Sequence, residues 1–183
     1  MTPDDLRAGS FTVARDRSAV LVRARSNVGP IEFGTTQIDG SMRAVVRDRR
    51  VVLGSEVTGQ LEVPVETLTS GNALYDSELL RRIDARAFPL AIIALDEAEA
   101  LGSEDRFGVR GRMTFHGVTR PLCGVVGVSV QGDNRIVISG EQVIDIRDFD
   151  VGVPSMLKFK IYPDVRVYLY LETETEAEAE PWG

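Results

Sequence analysis

The sequence predicts a mainly-β domain in which eight antiparallel strands close into a barrel, with one helix near a barrel mouth. Two observations lead to this prediction. About eight segments alternate apolar and polar residues with the two-residue period of a half-buried strand, and most are joined by short turns. Residues 72–86 instead show helical spacing. A closed barrel also removes the exposed strand edges that an open antiparallel sheet would leave.

The length of 183 residues is enough for one domain with a large core or an enclosed cavity. We assign residues 11–172 to the barrel, residues 1–10 to a polar lead-in and residues 173–183 to an acidic tail. The tail alternates Glu with Ala or Thr and has no apolar face to bury, so we expect it to be disordered.

The charge and residue usage exclude several classes of protein. The formal net charge is −7, but five glutamates between residues 172 and 180 carry most of it, so the barrel has no basic surface for nucleic acid. No apolar run approaches the roughly 20 residues of a membrane helix, and no secretory signal precedes the barrel. The sequence therefore predicts a cytoplasmic protein without a transmembrane segment. The single cysteine, Cys123, excludes an internal disulfide.

The first half of the chain is predicted to form extended segments at 11–13, 18–25, 31–33, 37–46, 51–53 and 59–68. The segment at 11–13 is short and is expected at a sheet edge. In the last segment Leu61, Val63 and Val65 alternate with polar or proline residues, the pattern of a strand with one buried face. Pro64 lacks an N–H donor and suits an edge or a non-bonded position.

The predicted helix interrupts this pattern. Leu79 and Ile83 share one helical face, and the spacing ends before Phe88 and the proline that follows it. Asn72 and Asp76 are both candidates for the N-cap, because their side chains accept hydrogen bonds from the free N–H groups of a first helical turn.

The second half is predicted to form strands at 90–95, 106–115, 118–131, 135–144 and 158–172. His116 and Gly117 separate two of them, and a two-residue hairpin turn needs positive φ at both positions. Glycines inside the strands, such as Gly111 and Gly124, fit bends at barrel corners. Residues 132–134 form a turn, and residues 145–153 are expected to be irregular with one helical turn.

Three segments resemble the YceI-like family of isoprenoid- and lipid-binding β-barrels. Residues 111–122, GRMTFHGVTRPL, are similar to the family's hairpin, and residues 68–89 are similar to its helix with a closing aromatic–proline pair. Residues 145–151 are similar to an Asp-x-x-Asp-Phe-Gly-apolar stretch, with Asp150 where the family usually has Gly. The resemblance covers roughly residues 11–171. It implies a lipocalin-like barrel that binds a polyisoprenoid or a similar lipid.

The predicted ligand-binding residues are the apolar side chains that a closed barrel would point inwards. They are Val20, Val22, Leu61, Val63, Val109, Met113, Phe115, Val167 and Leu169. If they fill the barrel they are core, and if they line a tunnel they are the binding site; periodicity does not separate the two cases. The inward set is poor in aromatic residues, which leaves room at the axis and favours a cavity.

Two functions follow from these readings. The first, which the resemblance implies, is non-enzymatic sequestration or transport of a polyisoprenoid or fatty amphiphile. Arg147, Arg81 and Arg82 are then candidates for contact with a phosphate or diphosphate head group. The alternative for Arg147 is an ion pair within the charged cluster of Asp145, Arg147 and Asp148 that holds this loop against the barrel mouth. The alternative is a filled-core barrel without a lipid ligand that acts as a stress-related interaction module, with a homodimer formed through a paired edge strand.

Catalysis on a hydrophobic substrate is the third hypothesis, and His116 is its candidate catalytic residue. A general base needs a partner within reach, and His116 is the sole histidine of the chain. The hairpin turn accounts for it without chemistry, and Thr114 and Thr119 are expected to pair across that turn. We therefore predict no catalytic residue, no metal and no cofactor other than a bound isoprenoid or lipid.

Overall fold

The structure is a computed structural model that describes residues 8–52, 57–103, 105–132, 135–153, 155–156 and 159–176. Within these ranges the chain forms twelve strands and one α-helix. The strands are β1 Gly9–Val13, β2 Ala19–Ser26, β3 Gly29–Thr35, β4 Asp39–Arg47, β5 Arg50–Val52, β6 Thr58–Pro64, β7 Leu90–Ala100, β8 Arg106–Phe115, β9 Val118–Gln131, β10 Arg135–Asp145, β11 Ser155–Met156 and β12 Phe159–Thr175. The helix α1 is Ala73–Arg82, and 3-10 turns lie at Arg15–Arg17, Val65–Thr67 and Ile146–Phe149.

Eight strands form a closed antiparallel ring in the order β1-β4-β6-β7-β8-β9-β10-β12, and β12 pairs back with β1. Phe11 lies opposite Thr175 at this closure. β2 continues along the same edge of β12, and β3 pairs with β2. The predicted eight-stranded barrel with a single helix is therefore confirmed.

The segment expected at a sheet edge, β1, is instead paired on both sides, with β4 and with β12. That expectation was wrong because the length of a strand does not reveal its neighbours. Gly9 and Ser10, which the sequence placed in the lead-in, belong to β1. Residues 1–7 of the predicted lead-in lie outside the described residues.

β12 also runs further than the sequence indicated, into residues 173–175 of the predicted tail. Thr173 is 1% exposed. Its Oγ1 accepts from the N–H of Ile136 at 3.3 Å and donates to the Ile136 carbonyl at 3.2 Å, so a polar residue is buried with its hydroxyl satisfied. The remaining tail residues 177–183 lie outside the described residues, as do Leu53, Asp133, Asn134, Pro154 and Lys158 of the predicted strands and turns.

The helix α1 begins as predicted and ends earlier. Asn72 is the N-cap, with its Oδ1 accepting from the N–H of Leu74 at 3.0 Å. After the last turn Asp84 adopts a left-handed φ of 46°, and the N–H of Ala85 donates to the Leu80 carbonyl at 3.0 Å. This is a Schellman motif, which ends the helix before the predicted boundary because the chain reverses direction there.

Buried apolar residues form three clusters around the barrel interior. The side cluster comprises Val20, Ile38, Val63 and Leu171. The helix-end cluster comprises Val65, Ile83, Phe149 and Val151. The far-end cluster, at the opposite end of β10, comprises Phe11, Ala44 and Ile136. Leu79 of α1 packs against the helix-end cluster, so the helix covers this end of the barrel.

The turn between β8 and β9 has the conformation that the sequence predicts. His116 and Gly117 have φ values of 50° and 74°. A Cβ atom on Gly117 would lie 2.5 Å from Cε1 of Phe88, so the position has no room for a side chain. The hydroxyl oxygens of Thr114 and Thr119 lie 2.8 Å apart across the hairpin, as expected.

Candidate ligand-binding cavity

An apolar cavity of about 210 Å³ lies inside the barrel. It is lined by residues of β1, β4, β5, β6, β7, β8, β9, β10 and β12. At one end Met113 and Ile144 line it and also pack against the helix-end cluster. At the other end Met42 and Val51 line it and pack against the far-end cluster. The cavity therefore occupies the middle of the barrel, between two packed ends.

Five of the nine predicted ligand-binding residues line this cavity. They are Leu61, Val109, Met113, Val167 and Leu169. The other four lie in packed regions: Val20 and Val63 are buried in the side cluster, and Val22 packs against it. Phe115 packs against the helix-end cluster, with its ring centroid 5.8 Å from that of Phe149. The barrel is thus filled on one side and hollow in the middle.

Much of the lining was not recognised from the sequence. β7 contributes Ile93 and Leu95, β9 contributes Leu122, and β10 contributes Ile138 and Ile144. On β9 and β10 the alternation of apolar residues was a usable signal. On β7 it was absent, because the run LAIIAL is apolar on both faces and does not indicate which residues point inwards.

The lining is almost wholly apolar, and none of the described residues around the cavity is Lys or Arg. The polar residues around it are Ser41, Gln60, Glu141, Gln142 and Thr173. A charged group buried without a partner costs a large solvation free energy. The cavity is therefore suited to an apolar chain, with any charged head group left outside.

The three arginines predicted to contact a head group lie on α1 or the 3-10 turn Ile146–Phe149 and are all ion-paired. Arg147 donates from Nη2 to Oδ2 of Asp145 at 2.6 Å and from Nε to Oδ1 at 2.9 Å. These hydrogen bonds, with that from the Arg147 N–H, lower the pKa of Asp145. Arg81 and Arg82 both pair with Glu78, at 2.9 and 2.5 Å. None of the three lines the cavity.

His116 has structural contacts that account for it. Its Nδ1–H donates to the Phe149 carbonyl at 2.9 Å, and its ring meets that of Phe88 edge-on at 4.9 Å. These contacts attach the hairpin tip to the helix end of the barrel. Among the described residues no group of three or more His, Cys, Asp or Glu is placed to hold a metal ion.

Comparison with known proteins agrees with this architecture. A sequence model of the YceI-like domain matches residues 11–173, whereas no curated protein matches the chain. The crystal structure of Burkholderia cenocepacia BcnA is 16% identical, with a TM-score of 0.73 over 87% of this chain and 98% of that one. A polyisoprenoid binding domain from Saccharophagus degradans, implicated in plant cell wall breakdown, is 14% identical, with a TM-score of 0.69 over 91% and 98%. The Campylobacter jejuni YceI protein is 16% identical, with a TM-score of 0.57 over 72% and 83%.

Proposed function

The chain belongs to the YceI-like domain family, and on that basis we propose that it binds the apolar chain of a polyisoprenoid or similar amphiphile inside its barrel. The observation that carries the proposal is the apolar cavity between two packed ends. A second support is the similar fold of the S. degradans polyisoprenoid binding domain. In this proposal the protein removes the apolar chain of the ligand from water and needs no catalytic step.

The cavity volume limits how much of the chain it holds. A cavity of roughly 150 Å³ takes up benzene, so by proportion the 210 Å³ cavity holds about eight carbon atoms. Their burial contributes about 6 kcal/mol at ~0.8 kcal/mol per methylene. Micromolar affinity needs about 8 kcal/mol after the costs of association. A long-chain ligand must therefore bury further carbons outside this cavity.

The head group of the ligand remains at the protein surface under this proposal, because the cavity lining offers it no basic partner. The arginines at 81, 82 and 147 remain candidate contacts. The Arg81 and Arg147 side chains are 67% and 63% exposed, and exposed ion pairs contribute little free energy, so a phosphate can replace the carboxylate there. Arg82 is less accessible, at 23% exposed.

The cytoplasmic location and the homodimer remain predictions from the sequence. Within the described residues, no helix combines the length and the apolar character needed to span a membrane.

The decisive experiment is lipid analysis of the protein purified without detergent. We expect extraction and mass spectrometry to find a co-purifying long-chain lipid, or the delipidated protein to take up geranylgeraniol and cis-parinaric acid, a fatty acid that fluoresces in apolar sites. If the protein carries no bound lipid and takes up neither probe, the proposal is contradicted and the filled-core interaction module is favoured.

A further inference from the structure

We propose that the apolar chain enters and leaves the cavity sideways, through a window in the barrel wall between β9 and β10. The inference rests on the proposed function, because it concerns the route of that same ligand. It starts from a break in the wall. Backbone pairing between β9 and β10 stops at Val126 and Gly140, although both strands continue. Beyond that point β9 pairs with β8 and β10 with β12.

The window has a defined outline. Residues 121–125 of β9 and 141–145 of β10 face each other without strand pairing in the described structure. Towards the helix end of the barrel the wall closes again, where Nε of Arg120 donates to the Asp148 carbonyl at 2.8 Å. The opening is thus bounded by the paired part of β9 and β10 on one side and by this contact to the 3-10 turn on the other.

Residues on both sides of the window also line the cavity. They are Leu122 and Gly124 on β9, and Gln142 and Ile144 on β10. Continuing the register of the paired part places Gly124 opposite Gln142. A Cβ atom on Gly124 would lie 3.2 Å from Oε1 of Gln142, so this side chain lies across the space that the glycine leaves.

Gln142 is weakly held in that position. Its Nε2 donates a long hydrogen bond, 3.4 Å, to the Val143 carbonyl. Rotation of one flexible side chain therefore opens the window. Entry through the helix end of the barrel would instead displace the buried residues of the helix-end cluster, against which the cavity lining packs.

A groove of about 460 Å³ lies on the outer face beside the window. It shares Val125, Gly140, Glu141 and Leu169 with the cavity, so these residues form the wall between the two spaces, directly beside the opening. Val125 and Val143, which point outwards beside the window, are 40% and 48% exposed. The groove, with Val125 at its edge, gives a long chain the burial that the internal cavity lacks.

The groove also offers a partner for an anionic head group. Arg106 lines it and forms no ion pair with another described residue, whereas the nearby Glu141 is paired with Arg166 at 2.9 Å. A guanidinium group binds a phosphate or carboxylate through charge-assisted hydrogen bonds. The ligand therefore lies with its head group near Arg106 and its chain end inside the barrel.

The native cysteine allows the window to be closed chemically. Cys123 is exposed on β9, and the continued register places Val143 of β10 opposite it. The variant Val143→Cys, treated with a short bismaleimide, links the two strands across the opening. We expect exchange of cis-parinaric acid, followed by stopped-flow fluorescence, to slow at least tenfold in both directions. The equilibrium affinity should change less than threefold.

The matched control links the same strands where they are already paired, at Gln131→Cys and Arg135→Cys in a Cys123→Ser background. Equal exchange rates in the window-linked and control-linked proteins would overturn the lateral route while leaving ligand binding intact. A protein that takes up no probe before linking contradicts the proposed function itself, and the route with it. A second variant, Gln142→Ala, should speed uptake and release of the probe together, because it removes the side chain that lies across the window.

Discussion

Val167→Trp tests whether the space inside the barrel is the binding site. Tryptophan has about seven more non-hydrogen atoms than valine, and by comparison with benzene these occupy roughly 175 Å³. The cavity that Val167 lines has a volume of about 210 Å³. The indole therefore fills most of it, and the burial of about eight carbons, worth about 6 kcal/mol, is lost to the ligand.

We expect this variant to lose about four orders of magnitude in affinity for cis-parinaric acid, measured by fluorescence titration. Its melting temperature should change little, because the added side chain enters existing space. Val63→Trp is the matched control, since Val63 is 8% exposed in the packed side cluster. Overpacking there costs about 1–3 kcal/mol, or roughly 2–4 °C of melting temperature per kcal/mol.

Two results would refute the reasoning. If Val167→Trp binds the probe like the wild type, the cavity is not the site. If it destabilises the protein as much as Val63→Trp, the interior behaves as a filled core and the interaction-module alternative gains.

Two further predictions concern a turn and a surface contact. Gly117→Ala should lower the free energy of unfolding in urea by about 2–4 kcal/mol, because φ is 74° and Phe88 occupies the Cβ position. Gly132→Ala is the control, because φ is 63° there but no atom lies within 4 Å of the added Cβ. An equal loss of unfolding free energy in both variants would show that the contact with Phe88 contributes nothing. Arg106→Gln should lower the affinity for geranylgeranyl diphosphate about tenfold in competition titrations but leave the affinity for geranylgeraniol unchanged. The same effect in Arg110→Gln, which is ion-paired on the same strand, would contradict the assignment.

The parts of the fold that the sequence predicted depend on local chemistry. The His116–Gly117 turn follows from the φ values that these residues tolerate, and the start of α1 follows from an asparagine that caps free N–H groups. The strands follow from two-residue alternation, which is likewise a property of neighbouring residues.

The interior could not be predicted in the same way. Leu61 and Val63 are two positions apart on one face of β6, yet the first lines the cavity and the second is packed in the side cluster. The difference depends on the side chains across the barrel, which the alternation does not report. The window could not be predicted for a similar reason. β9 keeps its strand pattern through Leu122 and Gly124, although its backbone pairing with β10 has ended at Val126.

The joining of β1 to β12 has a consequence for how the protein is made. The ring closes only when Phe11 pairs with Thr175, so synthesis must pass the end of β12 before the barrel can close. Until then the segment around β1 is an unpaired edge that can join another chain. Long-range closure of this kind is slow. The protein should therefore depend on chaperones during synthesis more than a helical bundle of equal length does.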